Sequence, residues 1–156
     1  GMLIQKNLVA PNELIKNAVT QLNVTIEEKN AKFELLLEPN NATVEADKSS
    51  LYVAILNLIS NAIKYSKDPM IIVETKVVNG VYYISVKYNG IGIEEQYQKK
   101  LFRKFYRVPT GDIHNVKGLG LGLYFVKKVV DENKGTIHVK SITGIGSEFV
   151  IELPTH

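Results

Sequence analysis

The chain has 156 residues, 45% of them hydrophobic, and a formal net charge of +3. That length suits one domain with a real core, and so small a net charge argues against a nucleic-acid partner. There is no cysteine, which excludes a disulfide framework and thiolate chemistry and fits a reducing cytoplasm; no apolar run is long enough to cross a bilayer, and no signal peptide is visible.

Pro11, near the start of an apolar-periodic run (Leu14, Ile15, Ala18, Leu22), predicts a first helix over roughly 11–29. Residues 32–37 read as a short strand, Pro39-Asn40-Asn41 as a turn, and Thr43 to Ala46 as a second short strand. Asp47 is placed to cap a long helix that runs to about Tyr65, and the chain breaks from Ser66 to Pro69. Strands over 70–78 and 81–88 follow, joined at Asn79-Gly80, a strong hairpin signal. Residues 94–105 read as one helix or two short ones, 108–117 as a mobile loop, and Leu121 to Asp131 as a helix. Two last strands, Gly135 to Ser141 and Ser147 to Leu153, flank the turn Thr143-Gly144-Ile145-Gly146. Two or three helices with about five strands predict helices layered on one face of a mixed sheet.

The long helix contains Asn57-Leu-Ile-Ser-Asn61-Ala-Ile-Lys64-Tyr65. This spacing makes one polar stripe on an otherwise apolar helix. Asn prefers caps and turns to helix interiors, so two stacked in mid-helix call for a reason. Amide oxygens can hold a metal ion and amide nitrogens can hold phosphate oxygens; the alternative is a solvated stripe on an amphipathic helix. A local basic cluster, Lys99, Lys100, Arg103, Lys104 and Arg107, is similarly open between a solvated face and an anion-attracting one.

Three glycine clusters follow: Asn89-Gly90-Ile91-Gly92-Ile93 at a strand end, Gly118-Leu119-Gly120-Leu121-Gly122-Leu123 running into a helix, and Gly144-Ile145-Gly146-Ser147 between strands. The second meets a helix N-terminus, where free N–H groups and the dipole favour phosphate. None has the Walker A or G-x-G-x-x-G spacing. In order with the Asn pair and with Phe102, Phe105, Tyr106 and Arg107, the set resembles the catalytic ATP-binding domain of bacterial sensor histidine kinases. That family lies within the gyrase, Hsp90, histidine kinase and MutL ATPase superfamily, and the resemblance runs from about Lys6 to Pro154.

The resemblance implies an α+β fold: a two-layer α/β sandwich of the histidine-kinase ATPase (Bergerat) type. It has a mixed, mostly antiparallel sheet, helices on one face, and ATP under a flexible lid at about 108–117. The whole of 1–156 is then one ATP-binding domain. Asn61 would be the magnesium ligand and Asn57 would support the phosphates, with Lys64 and Tyr65 contacting the nucleotide. Gly90, Gly92 and Ile93 would line the adenine side with Tyr88, Arg107 would reach the phosphates, and Ser147 would lie near the adenine. Gly118, Leu119, Gly120, Leu121, Gly122 and Leu123 would wrap the triphosphate. The implied cofactors are ATP and Mg2+.

One position departs from the family. Its first glycine motif normally begins with an Asp that accepts a hydrogen bond from the adenine amino group; here Tyr88 stands there. Strand alternation puts Tyr88 on the same side as Ile84 and Val86, the core and pocket side. A charged acceptor to a buried donor is worth about 1.5–3 kcal/mol, so its loss alone predicts binding weaker by roughly ten- to more than a hundredfold. Tyr88 would stack on the adenine, fill its space, or supply its hydroxyl as acceptor. Leu119 is a milder departure, where many members carry Thr or Ser.

Hydrolytic branches of the superfamily usually carry Glu where this chain has Asn57, which has no basic lone pair to activate water. The expected chemistry is therefore phosphoryl transfer to another nucleophile by positioning and charge stabilisation. His114, His138 and His156 are expected to be surface or packing residues, since none lies in a helix suited to present a phospho-acceptor. The acceptor histidine is expected on a separate dimerisation domain and the downstream partner to be a response-regulator receiver domain, with no nucleic acid and no direct membrane contact. Gly1 before Met2 looks like an expression scar, so the chain is expected to be an excised cytoplasmic domain of a larger, membrane-bound bacterial sensor. The alternative set against this reading is a pseudokinase or docking domain whose nucleotide binding Tyr88 impairs.

Overall fold

The computed structural model describes residues 5–66, 68–106, 108 and 122–156. Two sheets and a helical layer make up the molecule. β1 (Lys6–Val9) pairs antiparallel with β3 (Val44–Asp47) in a two-stranded ribbon. The main sheet has the order β2-β4-β5-β7-β6, with β2 Lys32–Leu36, β4 Met70–Val78, β5 Val81–Asn89, β6 Thr136–Ile142 and β7 Gly146–Pro154. β2 runs parallel to β4 and every other pairing is antiparallel. This is the mixed, mostly antiparallel sheet that the sequence predicts.

Alternation along each strand sends one face inward. Ile71 and Val73 of β4, Tyr82, Ile84, Val86 and Tyr88 of β5, and Ser147, Phe149, Ile151 and Leu153 of β7 are all buried there. Three longer helices lie in the covering layer: α1 (Pro11–Gln21), α3 (Lys48–Lys64) and α5 (Gly122–Glu132), with α3 between the other two. α3 buries Leu51, Ala54, Ile55, Leu58, Ile59, Ala62 and Ile63, a three-and-four spacing that makes one broad apolar stripe. The Asn79-Gly80 turn has φ of 50° and 78°, as a two-residue hairpin of the twist-matching type needs.

Three expectations change. The first helix is not continuous: it stops at Gln21, and Leu22 (φ −90°, ψ 5°) separates it from a short α2, Asn23–Glu28, which buries no residue. Asn23, Val24 and Thr25 are weak helix formers, and nothing in the core pulls that segment into line. β1 was not foreseen, because four residues carry too short a pattern to read. Residues 94–105 contain only the single-turn α4, Glu95–Gln98, followed by turns.

α1 is anchored by a buried polar knot. Asn12 Nδ2 donates to the Glu38 carbonyl at 2.9 Å, while its Oδ1 accepts from Thr75 Oγ1 at 2.7 Å and Tyr82 Oη at 2.8 Å. Burial pushes the Tyr82 phenol up to about 12, so it stays a donor. The knot ties α1, β4, β5 and the β2–β3 connection into one body.

α3 starts as the sequence predicts, with Asp47 accepting from the Ser50 N–H at 3.0 Å and also from the Ser50 hydroxyl. The Ser50 side-chain bond, more than the backbone one, holds the carboxyl below its ordinary value of 3.8. A depressed carboxyl stabilises the fold above its unfolded value, and that contribution is lost as pH falls through the folded value. Asp47→Ala is expected to cost about 1 kcal/mol near neutral pH. Urea unfolding of both proteins should show the gap narrowing at about pH 3; an unchanged gap would refute the charged cap.

Candidate functional site

The helix and sheet layers meet at the C-terminal end of α3 and the C-terminal end of β5. Asn57 and Asn61 are half-buried and one turn apart, Lys64 is exposed, and Tyr65 is 41% exposed. Among the described residues neither Asn carboxamide has a hydrogen-bond partner in the protein. The four hydrogen-bonding positions of each carboxamide are therefore not taken up by the described residues.

Asn89 closes the gap between the two elements. Its Oδ1 accepts from the Met70 N–H at 2.8 Å, its Nδ2 donates to the Asp68 carbonyl at 3.0 Å, and its own carbonyl accepts from Ser66 Oγ. The loop leaving α3 is therefore stapled to the end of β5. Gly90 lies against that loop: a Cβ there would stand 3.0 Å from the Tyr65 carbonyl oxygen. Gly92 (φ 72°) packs on the β6–β7 turn, where a Cβ would come within 2.3 Å of the Ile142 oxygen. Both glycines thus serve close backbone contact within the protein, whatever they do for a ligand.

Tyr88 is buried, as the alternation argument predicts. It sits opposite Ser147 in the β5–β7 ladder, and Ser147 sits opposite Ser141 in the β6–β7 ladder. Their side chains form a row of hydroxyls at the end of the core face, with Ser141 Oγ and Ser147 Oγ 2.7 Å apart. Burial, the main cause, raises the Tyr88 phenol to about 12; the Ser147 hydroxyl partly offsets the rise, and Tyr65 adds to it. The Tyr88 ring is parallel to Phe149 at 6.4 Å, and Phe102 meets Phe149 edge-on at 6.3 Å. Ile93 joins this end of the site by donating its N–H to Ser141 Oγ at 2.7 Å.

Of the residues singled out by sequence, Tyr88, Gly90, Gly92, Ile93 and Ser147 are gathered at one end, next to Tyr65. Asn57, Asn61 and Lys64 line the same helix, while Gly122 and Leu123 begin α5, which packs on α3. Arg107, Gly118, Leu119, Gly120 and Leu121 lie outside the described residues, as does the loop 109–117. Lys99, Lys100, Arg103 and Lys104 are exposed in the turns after α4. His138 is on the surface, 3.9 Å from Glu152, and His156 ends the chain; His114 is outside the described residues.

Sequence reasoning did not single out Ser141, Phe149 or the staple made by Asn89. Alternation around the Gly144 turn would have paired Ser141 with Ser147. The staple had no local signal, because its partners are the backbone of a loop some twenty residues away.

A helix with a polar C-terminal end, packed over one face of a mixed sheet beside glycine turns at the strand ends, defines a two-layer α/β sandwich. Residues 46–156 match the family described as Histidine kinase-, DNA gyrase B-, and HSP90-like ATPase. The Sensor protein RprX of Bacteroides fragilis is 42% identical over 146 residues, which is 92% of this chain and 28% of that protein. The Sensor histidine kinase AtsR of Burkholderia thailandensis is 30% identical over 155 residues, 97% of this chain and 26% of that protein. Among solved structures, a nucleotide-free catalytic domain of histidine kinase ThkA superposes with a TM-score of 0.84 at 26% identity, covering 96% of this chain and 95% of that one. The chain belongs to the histidine kinase-, DNA gyrase B- and HSP90-like ATPase family, as an ATP-binding domain of the sensor histidine kinase kind. It spans little more than a quarter of the length of RprX and of AtsR.

Proposed function

We propose that this chain is the catalytic domain of a two-component sensor histidine kinase, holding Mg-ATP for transfer of the γ-phosphoryl group to a histidine on a separate dimerisation domain. The observation that carries it is the Asn pair: two half-buried carboxamides one turn apart, neither bonded to the described protein. Carboxamide oxygens suit a hard divalent cation, and carboxamide N–H groups suit phosphate oxygens. Asn61 would hold magnesium, and Asn57 would orient the phosphates. Magnesium, when bound, would supply neutralisation of the charge on the phosphates.

The remaining roles follow from position. Lys64, at the exposed end of α3, would meet the nucleotide with a point charge. Tyr65, Tyr88, Gly90, Gly92, Ile93 and Ser147 would form the base end. Gly118, Leu119, Gly120, Leu121, Gly122 and Leu123, with Arg107, would enclose the phosphates, under a lid at about 108–117. The exposed lysines and Arg103 after α4 would raise the local concentration of the anionic nucleotide. Asn57 offers no general base for water, so this domain orients ATP for another nucleophile instead of hydrolysing it. The whole of 1–156 would act as one unit. Its partners would be the histidine-bearing dimerisation domain and a downstream receiver domain, on the cytoplasmic side of a larger sensor. Among the described residues no helix is long and apolar enough to cross a membrane. A docking domain without nucleotide affinity is not favoured, because the relatives are sensor kinases.

The test is transfer of label from γ-labelled ATP to the cognate histidine domain added in trans. Acid-labile label on that domain is expected, with hydrolysis near background when it is omitted. ATP binding without transfer would refute the kinase reading. Sustained hydrolysis by the chain alone would move it to the hydrolytic branch of the family.

A further inference from the structure

Glycine follows asparagine twice in this chain, at Asn79-Gly80 and at Asn89-Gly90. That dipeptide carries a chemistry of its own. The glycine backbone nitrogen, with no Cβ beside it, attacks the asparagine Cγ and expels the side-chain nitrogen as ammonia. The product is a five-membered succinimide, which water then opens. Addition of water at Cγ breaks the new Cγ–N bond and leaves aspartate. Addition at the backbone carbonyl carbon breaks the original peptide bond and leaves isoaspartate, with the chain running through the side chain. Water is consumed, ammonia is released, and nothing is oxidised or reduced.

The fold holds one copy of the dipeptide and leaves the other free. Asn89 is restrained at each group that ring closure must move. Its Oδ1 accepts from the Met70 N–H at 2.8 Å, its Nδ2 donates to the Asp68 carbonyl at 3.0 Å, and the Gly90 N–H donates to the Ile145 carbonyl at 3.0 Å. Ser66 Oγ also donates to the Asn89 carbonyl, which pins the peptide that would have to rotate. One net hydrogen bond changes an equilibrium by about two- to tenfold, so the side-chain and Gly90 bonds together slow closure by about a hundredfold.

Asn79 and Gly80 are exposed, and among the described residues neither the Asn79 carboxamide nor the Gly80 N–H has a partner. The Gly80 carbonyl accepts from the Thr155 N–H at 2.9 Å, but it stands on the far side of Gly80 from the reacting peptide. Closure requires Asn79 to leave its left-handed conformation (φ 50°). Little packing resists that, because the turn lies beyond the Val78–Val81 pair at the end of the ladder, next to the exposed Val77 and Val78.

We propose that Asn79 is a site of spontaneous deamidation in this domain, and that the fold shields Asn89, which carries the same sequence signal. Aspartate at the hairpin tip tolerates the left-handed conformation and keeps the turn. Isoaspartate lengthens the backbone of a two-residue loop whose geometry sets the register of β4 and β5, so it weakens the hairpin. Its free α-carboxylate is the class of group that a carboxyl methyltransferase esterifies.

The test is incubation of the folded chain in mildly alkaline buffer, beside a second sample held unfolded in urea, with peptide mapping of both by mass spectrometry. In the folded chain Asn79 is expected to convert about a hundredfold or more faster than Asn89. In urea the two are expected to convert at comparable rates. An isoaspartate-specific methyltransferase with labelled S-adenosylmethionine should mark the peptide that carries residue 79 in the folded sample. Equal rates in the folded chain, or no conversion of Asn79 there, would overturn the proposal. So would a preference for Asn79 that persists undiminished in urea, since local sequence and not the fold would then set it.

Discussion

Asn61→Ala is expected to lower phosphotransfer to a histidine domain supplied in trans by about a thousandfold, equivalent to about 4 kcal/mol of lost transition-state stabilisation. The size follows from the role proposed for the side chain. A carboxamide oxygen on magnesium acts on the ion that neutralises the transferring group, so its loss is felt in the chemical step as well as in binding. The fold should tolerate the change. Asn61 is half-buried, its side chain has no hydrogen-bond partner among the described residues, and it lies in the last turn of α3, where Ala is the better helix former by a few tenths of a kcal/mol to about 0.7. Thermal unfolding should therefore be unchanged or slightly raised. A readout separate from activity is the dependence of ADP affinity on magnesium, measured with and without EDTA. The unaltered chain should lose affinity on chelation and Asn61→Ala should not. Equal magnesium dependence in both proteins would remove Asn61 as the ligand.

Gly92→Ala should damage the fold strongly, through both backbone conformation and overlap with neighbouring backbone. The residue has φ of 72°, which costs an L side chain about 1–2 kcal/mol. The added Cβ would also stand 2.3 Å from the Ile142 oxygen, 2.7 Å from its carbonyl carbon and 2.9 Å from Thr143 Cα, all backbone atoms of the β6–β7 turn. Backbone cannot rotate away as a side-chain tip can, so overlap adds a further 1–3 kcal/mol or so. A total loss of about 3–5 kcal/mol is expected in urea unfolding, a large share of the stability of an ordinary domain. Gly144→Ala separates the two causes. Its φ is 82°, but a Cβ there meets nothing within 4 Å, so it should lose only the conformational part. Equal losses at the two positions would show that the contact with the β6–β7 turn is not what requires glycine at 92. Nucleotide affinity of the surviving Gly92→Ala protein should fall too, since the displaced turn carries Ser141 and Ser147.

The two glycines also mark where a sequence motif and its physical cause part company. Asn89-Gly90-Ile91-Gly92 points to a nucleotide site through its order among other motifs. In the folded chain Gly90 and Gly92 each fill a place where backbone meets backbone, at the end of α3 and at the β6–β7 turn. Asn89, between Tyr88 and these glycines, uses its side chain to staple the loop after α3. The motif thus builds the floor of the site before it touches any ligand. Tyr88 is the converse case. Alternation alone placed it on the core side, but its hydroxyl environment depends on Ser141 and Ser147, which reach it only through the pairing of β5 with β7 and of β7 with β6.

What the sequence determined by itself is local in origin. The Asp47 cap, the apolar stripe of α3, the Asn79-Gly80 hairpin and the alternation of β5 and β7 each depend on residues a few positions apart. Their order along the chain was enough to place it in an ATPase family and to name the helix face that carries the Asn pair. Only the tertiary structure decided that β2 lies parallel to β4, that the four-residue β1 finds β3, and that the first helix breaks at Leu22. It also decided that Tyr88, Ser147 and Ser141 share one row. These features join segments far apart in sequence, and the free energy that selects them comes from packing and backbone pairing across the fold, which leaves no periodic trace in any single stretch of residues.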